Sequence, residues 1–381
     1  KIVVTADSPG AALKLYQKGA DYVLLPNMVA GGHLITIVEH LLHEGGARLK
    51  EREIEKLEGR AEILSGGFYE PVLAVLPDED KVGQICALTG FIRDTIGYDA
   101  RGMWLAERVW EPHLPKFIDA AGIKHVVVDD FHFKMAGLHD DELDGYYLTE
   151  EQDSVLRIFP GSEKLRYLIP FHGPQETIEF LGSLRSTERS RLAVMADDGE
   201  KFGVWPETYR TVYEEGWLDR FFTLIEQNSA WLETTTFSEF LTREPARGRI
   251  YLPTASYMEM GEWTLPTPAM IEYHDALETV KSLPDGAKLR PFIKGGIWRN
   301  FFAKYPESDH MHKRMLMVSR KVHRVLEAPG SAAKLNRESA RLDKVQFAAE
   351  RAPRKAKVVP AERKVEPSGV YKTLEDADQA Y

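Results

Sequence analysis

The stretch "GMWLAERVWEPHLPKFIDAAGIKHVVVDDFHF", residues 102–133, holds three segments of regular structure in succession. Residues 102–110 are apolar and rich in strand-forming types, 114–122 carry a helical pattern, and 124–133 begin as a β-branched strand. Strands that alternate with helices and are apolar on both faces are typical of a parallel sheet covered by helices. The stretch therefore predicts an α/β fold.

The same alternation continues on both sides. We predict further strands at 60–65, 165–170 and 191–196, and helices at 78–97, 174–185 and 206–228. Beyond about residue 256 the pattern becomes mostly helical, and from 328 onwards a basic, Pro-containing tail has little periodicity. The pattern thus predicts a parallel sheet or barrel, then a helical region, then a weakly ordered tail.

Residues 1–27 form a separate α/β pattern. "KIVVTA" and "DYVLLP" predict two parallel strands joined by a helix. The stretch "VVTADSPGAALKLYQKGADYVLLPNMVAGGHL" resembles the second half of the nucleotide-binding regulatory domain of potassium transporters and channels, over about residues 1–55. The glycine-rich phosphate turn of such a domain is absent, and half a domain does not make a complete dinucleotide site.

Composition narrows the function classes. The 381-residue chain has 28% charged and 43% hydrophobic residues and a formal net charge of −10, which argues against a nucleic-acid partner. We see no apolar run of the roughly 18 to 20 residues that a membrane helix needs, and no signal peptide, although the chain begins at Lys1 rather than Met. Cys86 is the only cysteine, which is compatible with the cytoplasmic location that we expect.

Glu107 lies among Trp104, Leu105, Val109 and Trp110, where an unpaired carboxylate is costly to desolvate. Either a partner neutralises the charge or the site needs a carboxylate in an apolar cleft. Arg108 is next in the chain, but period-2 alternation would place it on the opposite strand face, as a member of a structural ion pair.

A second pair of acids follows the strand at 191–196. Asp197 and Asp198 precede a glycine, and carboxylates at the carboxyl end of a parallel strand lie where barrel enzymes keep their chemistry. Asp197 has a simpler interpretation as a helix cap. If both strands belong to one barrel, Glu107 and Asp198 point into one mouth, the arrangement that glycoside hydrolysis needs. Trp104, Trp110 and Trp205 lie near these acids in sequence, and aromatic faces stack on sugar rings.

These motifs carry a family resemblance. "WLAERVWEP" and "DDGEKFGVWPETY" resemble family 57 of the glycoside hydrolases, the α-amylase and 4-α-glucanotransferase group. "GRAEILSGGFYEPVLAVLPDEDKVGQI" is similar to the early conserved region of that family, and "YLPTASYMEMGEWTLP" and "GGIWRNFFAKYPESDHMHKRML" are similar to the segment after its barrel. The resemblance covers about residues 59–326.

The resemblance implies an incomplete (β/α)7 barrel, a helical region and a retaining mechanism on α-1,4-glucans. It places Glu107 at the nucleophile and Asp198 at the general acid/base. Positions that line the substrate cleft fall on Glu62, Trp104, Glu200 and Trp205. His132 follows a strand and could contact a sugar hydroxyl, but a buried core histidine is the interpretation we prefer.

The resemblance implies no cofactor and no metal, because carboxylates suffice for this chemistry. We expect an α-glucan as partner, with no nucleic acid or membrane, and homo-oligomerisation stays open. The domains expected are an α/β extension at 1–57, the barrel core at 58–255, the helical region at 256–327 and the tail at 328–381.

Two family elements are not found in the sequence: the His-x-Pro element expected before Gly59, and a Trp- and Asp-containing segment expected near the carboxyl terminus. The alternatives left open are a glucan branching enzyme, a catalytically inactive fragment, and a nucleotide-binding regulatory module of ion transport.

Overall fold

In the computed structural model, residues 61–327 are described in full, and the backbone of two short strands before them, β1 (Val3–Thr5) and β2 (Tyr22–Leu24), is described as well. β1 and β2 pair in parallel, as their sequence predicts. The helix predicted between them and the tail predicted at 328–381 lie outside the described residues.

The central sheet has four strands in the order β3–β4–β6–β5. They are β3 (Gly102–Trp104), β4 (His125–Asp129), β5 (Tyr147–Glu151) and β6 (Ser154–Gly161). β3, β4 and β6 are parallel, and β5 forms an antiparallel hairpin with β6. Isolated parallel bridges from Ser65 to Met103 and from Val194 to Gly161 extend the parallel part on both sides. The sequence analysis assigned no element to the hairpin.

Twelve helices are found among residues 61–327. They are α1 (Asp78–Ile96), α2 (Leu114–Ala120), α3 (Asp130–Met135), α4 (Glu163–Leu168), α5 (Pro174–Ser183), α6 (Trp217–Gln227), α7 (Phe237–Arg243), α8 (Met258–Trp263), α9 (Thr267–Lys281), α10 (Gly286–Leu289), α11 (Phe301–Lys304) and α12 (Pro306–Glu327). None of those described is long and apolar enough to span a bilayer.

The core lies where the sheet meets α1 and α2. Every residue of β4 is buried, which its run of three valines explains, because a parallel strand is covered on both faces. Ile85 of α1 and Leu114 and Ile118 of α2 are fully buried against the same cluster. α1 ends at Gly97, whose left-handed φ of 81° is a common helix stop.

Several predicted elements are wrong in type or extent. Residues 163–168 form α4 rather than a strand, because the side chain of Ser162 accepts a hydrogen bond from the Leu165 N–H (3.3 Å) and caps a helix. The strand predicted over 102–110 ends at Trp104, and the one at 191–196 is reduced to the bridge at Val194. The single helix predicted over 206–228 is interrupted at Gly216, where φ is 69°.

Residues after the sheet return to it at several points, among them the backbone hydrogen bonds from Arg247 to Tyr146 and from Ile250 to Leu148. Trp110 and Ala255 exchange two backbone hydrogen bonds (2.8 and 3.2 Å). Arg299 forms a two-pronged ion pair with Glu111, with N–O distances of 2.6 and 3.0 Å. The chain divides after Ser319 into two compact units, and the described part of the second is the last turns of α12. The fold of the first unit is therefore α/β, with a partial sheet followed by a helical region.

Candidate active site

The carboxyl ends of the parallel segments meet at one edge of the sheet and bring acidic residues with them. Glu107 follows β3, Asp129 ends β4, and Asp197 and Asp198 follow the bridge at Val194. In α/β proteins this edge is the usual place for a binding site. The candidate site is therefore built at the end of the sheet that the sequence predicts.

Glu107 lies in a turn after β3 rather than within a strand. Its φ is 54° and that of Arg108 is 48°, so two successive non-glycine residues are left-handed. The Glu107 side chain is exposed towards the site, and the Tyr257 hydroxyl donates a hydrogen bond to its Oε2 atom (2.6 Å). Neither the turn nor the tyrosine is part of the sequence prediction.

Arg108 is buried and does not pair with Glu107. Its Nε atom lies 3.8 Å from Asp129 Oδ2, and its guanidinium lies over the rings of Tyr257 (4.4 Å) and Trp104 (5.3 Å). The structural ion pair predicted for Arg108 is found, but its geometry comes from the left-handed turn and not from strand alternation. Arg166 approaches the same Asp129 oxygen at 3.7 Å.

Asp129 is thus a buried carboxylate between two arginines, at the carboxyl end of β4. Burial and the neighbouring charge of Asp130 raise the pKa of Asp129, while Arg166 and Arg108 act in the opposite direction. Sequence analysis quoted Asp129 within a strand but did not select it. The signal that marked Asp198, an acid directly after a buried strand, applies equally to Asp129.

Asp198 is exposed at the site, and its neighbour Asp197 has a different role. Burial raises the pKa of Asp198, and the negative charges of Asp197, Glu107 and Glu200 raise it further, against the effect of Arg108. The carboxylate of Asp197 is buried, pairs with Lys201 and accepts a hydrogen bond from the Asp198 N–H (2.9 Å). Asp197 therefore shapes the turn, but it does not cap a helix: the short 3-10 helix Gly199–Phe202 begins after Asp198 and has no side-chain cap. Asp198 is the acid that remains exposed at the site.

Two of the predicted cleft residues lie on the same turn as Asp198. Glu200 is exposed, and its carbonyl accepts a hydrogen bond from the Trp205 N–H (3.1 Å). Trp205 is 40% exposed and stacks on Phe171 with an interplanar angle of 26°. The Lys201 Nζ atom lies 5.3 Å from the centroid of each of these two rings. Together with the half-buried Trp104, these rings offer apolar faces beside the acids.

Glu62 lies elsewhere. Its carboxylate accepts hydrogen bonds from the Ser238 N–H (2.8 Å) and hydroxyl (2.7 Å), and lies 3.2 Å from His125 Nε2. His125 begins β4, so Glu62 is at the amino ends of the strands, opposite the site. The structure does not bring Glu62 together with Glu107 and Asp198. Burial by itself would raise the pKa of Glu62, but the contact with His125 and the hydrogen bonds from Ser238 outweigh it and lower the pKa, as expected for a structural carboxylate.

His132 is fully buried in α3, and its Nδ1 atom is 3.0 Å from the Asp129 carbonyl oxygen. Burial lowers the pKa of His132 to about 4. This agrees with the preferred interpretation of a core histidine. Among the described residues, no group of three His, Cys, Asp or Glu side chains is arranged to hold a metal ion.

Fold and site together define an α/β protein with a pair of carboxyl groups, flanked by aromatic rings, at the carboxyl ends of its strands. A family model described as glycosyl hydrolase family 57 matches residues 37–253, which is more than half of the chain. The chain therefore belongs to glycosyl hydrolase family 57. A second model, the middle domain of α-amylase/4-α-glucanotransferase, matches residues 296–345.

Individual relatives agree with this assignment. The chain is 53% identical to α-amylase 1 from Dictyoglomus thermophilum over 264 residues, covering 69% of this chain and 38% of the relative. It is 47% identical to an α-amylase from Pyrococcus abyssi over 300 residues, or 77% and 45% of the two chains. The solved structure of 4-α-glucanotransferase from Thermococcus litoralis is similar with a TM-score of 0.67 and 50% identity, covering 74% of this chain and 44% of that one.

The chain thus spans about two fifths of the length of these relatives. The matches support the family 57 resemblance and lend no support to the potassium-transport resemblance at 1–55. The family model itself begins at residue 37, inside that segment.

Proposed function

We propose that this chain carries the active-site core of a retaining glycosidase or transglycosidase that acts on α-1,4-glucans, as an α-amylase or 4-α-glucanotransferase. Glu107 is the nucleophile and Asp198 the general acid/base. The observation that carries the proposal is the placement of these two exposed acids at the carboxyl edge of the sheet, one after β3 and one after the bridge at Val194. Burial raises the pKa of Asp198, and the charges of Asp197 and Glu107 raise it further. An acid/base needs such a raised pKa to hold its proton until the leaving group departs.

The reaction runs in two halves. In the first, a Glu107 oxygen bonds to the anomeric carbon while the glycosidic bond breaks, and Asp198 gives its proton to the leaving oxygen. In the second, Asp198 takes a proton from the acceptor, whose oxygen attacks the same carbon and releases Glu107. Water as acceptor gives hydrolysis, and a sugar 4-hydroxyl gives transfer. We expect the two carboxyl groups about 5 to 5.5 Å apart with substrate bound.

The aromatic rings and Glu200 complete the proposed cleft. Trp205 and Phe171 present exposed, stacked faces suited to the apolar side of a glucose ring, and the half-buried Trp104, at the end of β3, is the third aromatic residue assigned to the cleft. Glu200 is placed to accept sugar hydroxyl groups.

The partial sheet belongs, in this proposal, to an incomplete (β/α)7 barrel at 58–255. Support comes from five parallel segments in consecutive order, at Ser65, β3, β4, β6 and Val194. The extension at 1–57, the helical region at 256–327 and the tail at 328–381 remain the proposed boundaries around it, and a cytoplasmic location remains the expectation.

Incubation with maltooligosaccharides of one length tests the proposal. We expect new chain lengths: longer products indicate transfer, and shorter products alone indicate hydrolysis. Glu107→Gln should abolish product formation and Asp198→Asn should remove most of it, whereas Glu179→Gln, on the exposed face of α5, should leave it unchanged. Product formation that survives Glu107→Gln would refute the nucleophile assignment.

A reaction with azide as the acceptor and α-maltotriosyl fluoride as the glycosyl donor distinguishes the nucleophile from the acid/base. In Glu107→Gly, azide replaces the missing nucleophile and displaces fluoride once, so the β-glycosyl azide should form. In Asp198→Gly, the glycosyl intermediate still forms on Glu107 and azide attacks it, so the α-glycosyl azide should form. The reverse pattern would exchange the two assignments.

A further inference from the structure

The backbone of Glu107 is held in a conformation that its sequence disfavours. Glu107 and Arg108 are both left-handed, at φ of 54° and 48°. Left-handed backbone is unfavourable for non-glycine residues and persists only where the surroundings hold it. The surroundings that do so come from the segment at 255–257, which follows the sheet in sequence.

Three successive residues dock on this turn. Ala255 exchanges backbone hydrogen bonds with Trp110, just after the turn. The hydroxyl of Ser256 donates a hydrogen bond to the Glu107 carbonyl oxygen. The hydroxyl of Tyr257 donates to Glu107 Oε2 at 2.6 Å. Ser256 thus binds the backbone of Glu107, and its neighbour Tyr257 binds the Glu107 side chain.

The Tyr257 ring is itself fixed and does not face solvent. It is only 7% exposed, so it offers no face for a sugar to stack on. The guanidinium groups of Arg108 and Arg166 lie over it at 4.4 and 5.4 Å from the ring centroid. Burial, together with the hydrogen bond to Glu107, raises the pKa of Tyr257, so the phenol keeps its proton and remains a donor.

We propose that Ser256 and Tyr257 are positioning residues for Glu107, which fix its turn and orient its carboxylate through Oε2 so that Oε1 attacks the anomeric carbon. This inference rests on the proposed role of Glu107 as nucleophile. Both residues lie between the two matched family regions, which end at 253 and resume at 296. The helical region thereby contributes to the site directly.

The first test is the variant Tyr257→Phe, which keeps the ring over Arg108 and removes only the hydroxyl. We expect kcat on maltooligosaccharides to fall by about 10- to 100-fold, the usual strength of a hydrogen bond to a charged group, with KM and melting temperature unchanged. Tyr251→Phe is the matched control, because the Tyr251 hydroxyl donates to Glu150 (2.9 Å) at the surface. Tyr251→Phe should leave kcat and KM unchanged.

Ser256→Ala provides a second variant that removes only the bond to the Glu107 backbone, and we expect it to lower kcat as well. An unchanged kcat in Tyr257→Phe would overturn the proposal. A raised KM with unchanged kcat would also overturn it, because it would make Tyr257 a substrate contact.

A second measurement does not depend on turnover. Carbodiimide coupling of glycine ethyl ester, followed by peptide mass spectrometry, reports the reactivity of Glu107. Releasing its carboxylate in Tyr257→Phe should raise the labelling rate at Glu107 severalfold over the wild type, and Tyr251→Phe should not. Equal labelling in all three proteins would refute the contact. A wild type without glucan activity but with this labelling pattern would refute the proposed function alone.

Discussion

At the scale of single residues, the site depends on how each acid is surrounded. Glu107, Asp197 and Asp198 are of similar chemistry, yet Asp197 is tied to Lys201 and the backbone while the other two remain available at the mouth. The sequence marks Glu107 as a charge inside an apolar run and Asp198 as an acid that directly follows one. The role of Tyr257 could not be predicted from the sequence, because a contact between residues 150 positions apart leaves no local pattern.

The pH dependence of activity is predicted at the same scale. The charge of Glu200 helps to raise the pKa of Asp198, so Glu200→Gln should lower that pKa. Asp198 must be protonated to act as the acid, and activity is lost as pH rises through its pKa. The alkaline limb of the kcat/KM profile should therefore move to lower pH in Glu200→Gln, and Glu226→Gln, on α6, should leave it in place. A limb that stays in place or moves up in Glu200→Gln would contradict the assignment of Asp198.

At the scale of elements, prediction succeeded where the local pattern and the tertiary environment agree. Helices α1, α2 and α5 and the strand β4 are found where their periodicity predicts them. A strand was predicted at 165–170, but residues 163–168 form a helix, because the cap at Ser162 outweighs a short apolar run whose period is ambiguous.

Close packing between β3 and β4 predicts a strong effect at one glycine. A Cβ on Gly102 would lie 2.1 Å from His125 Nε2, and His125 is confined by Phe159 and Phe237. Gly102→Ala should therefore destabilise the protein by about 1 to 3 kcal/mol. Gly83→Ala, within α1 and with free space around it, should instead stabilise it by about 0.5 to 1 kcal/mol. Denaturant unfolding measures the free energy of unfolding of both variants. Equal changes in Gly102→Ala and Gly83→Ala would refute the packing argument.

At the scale of the whole molecule, an ion pair joins the helical region to the segment that follows β3. Arg299 binds Glu111 through two nitrogens, and the Glu111 side chain is only 12% exposed. Arg299→Gln should lower stability by about 1 to 2 kcal/mol, since it leaves a largely buried carboxylate with only the His113 ring, 3.4 Å away, as a partner.

Arg243→Gln is the matched control for this prediction. Arg243 also binds a glutamate, Glu233, through two nitrogens, but that pair is exposed to solvent. Exposed ion pairs contribute little to stability, so the melting temperature of the Arg243→Gln variant should equal that of the wild type. If both variants melt alike, the contact between Arg299 and Glu111 does not join the helical region to the sheet.

The sequence alone determined the α/β class, the order of most helices and the two acids of the proposed mechanism, because these depend on local periodicity and on motifs that are continuous in the chain. Only the tertiary structure decided that Glu107 lies in a left-handed turn, that Glu62 lies at the other end of the sheet, and that residues 255–257 complete the surroundings of Glu107. The reason is physical: which end of a strand a side chain occupies, and what then packs against it, is set by contacts between residues far apart in the chain.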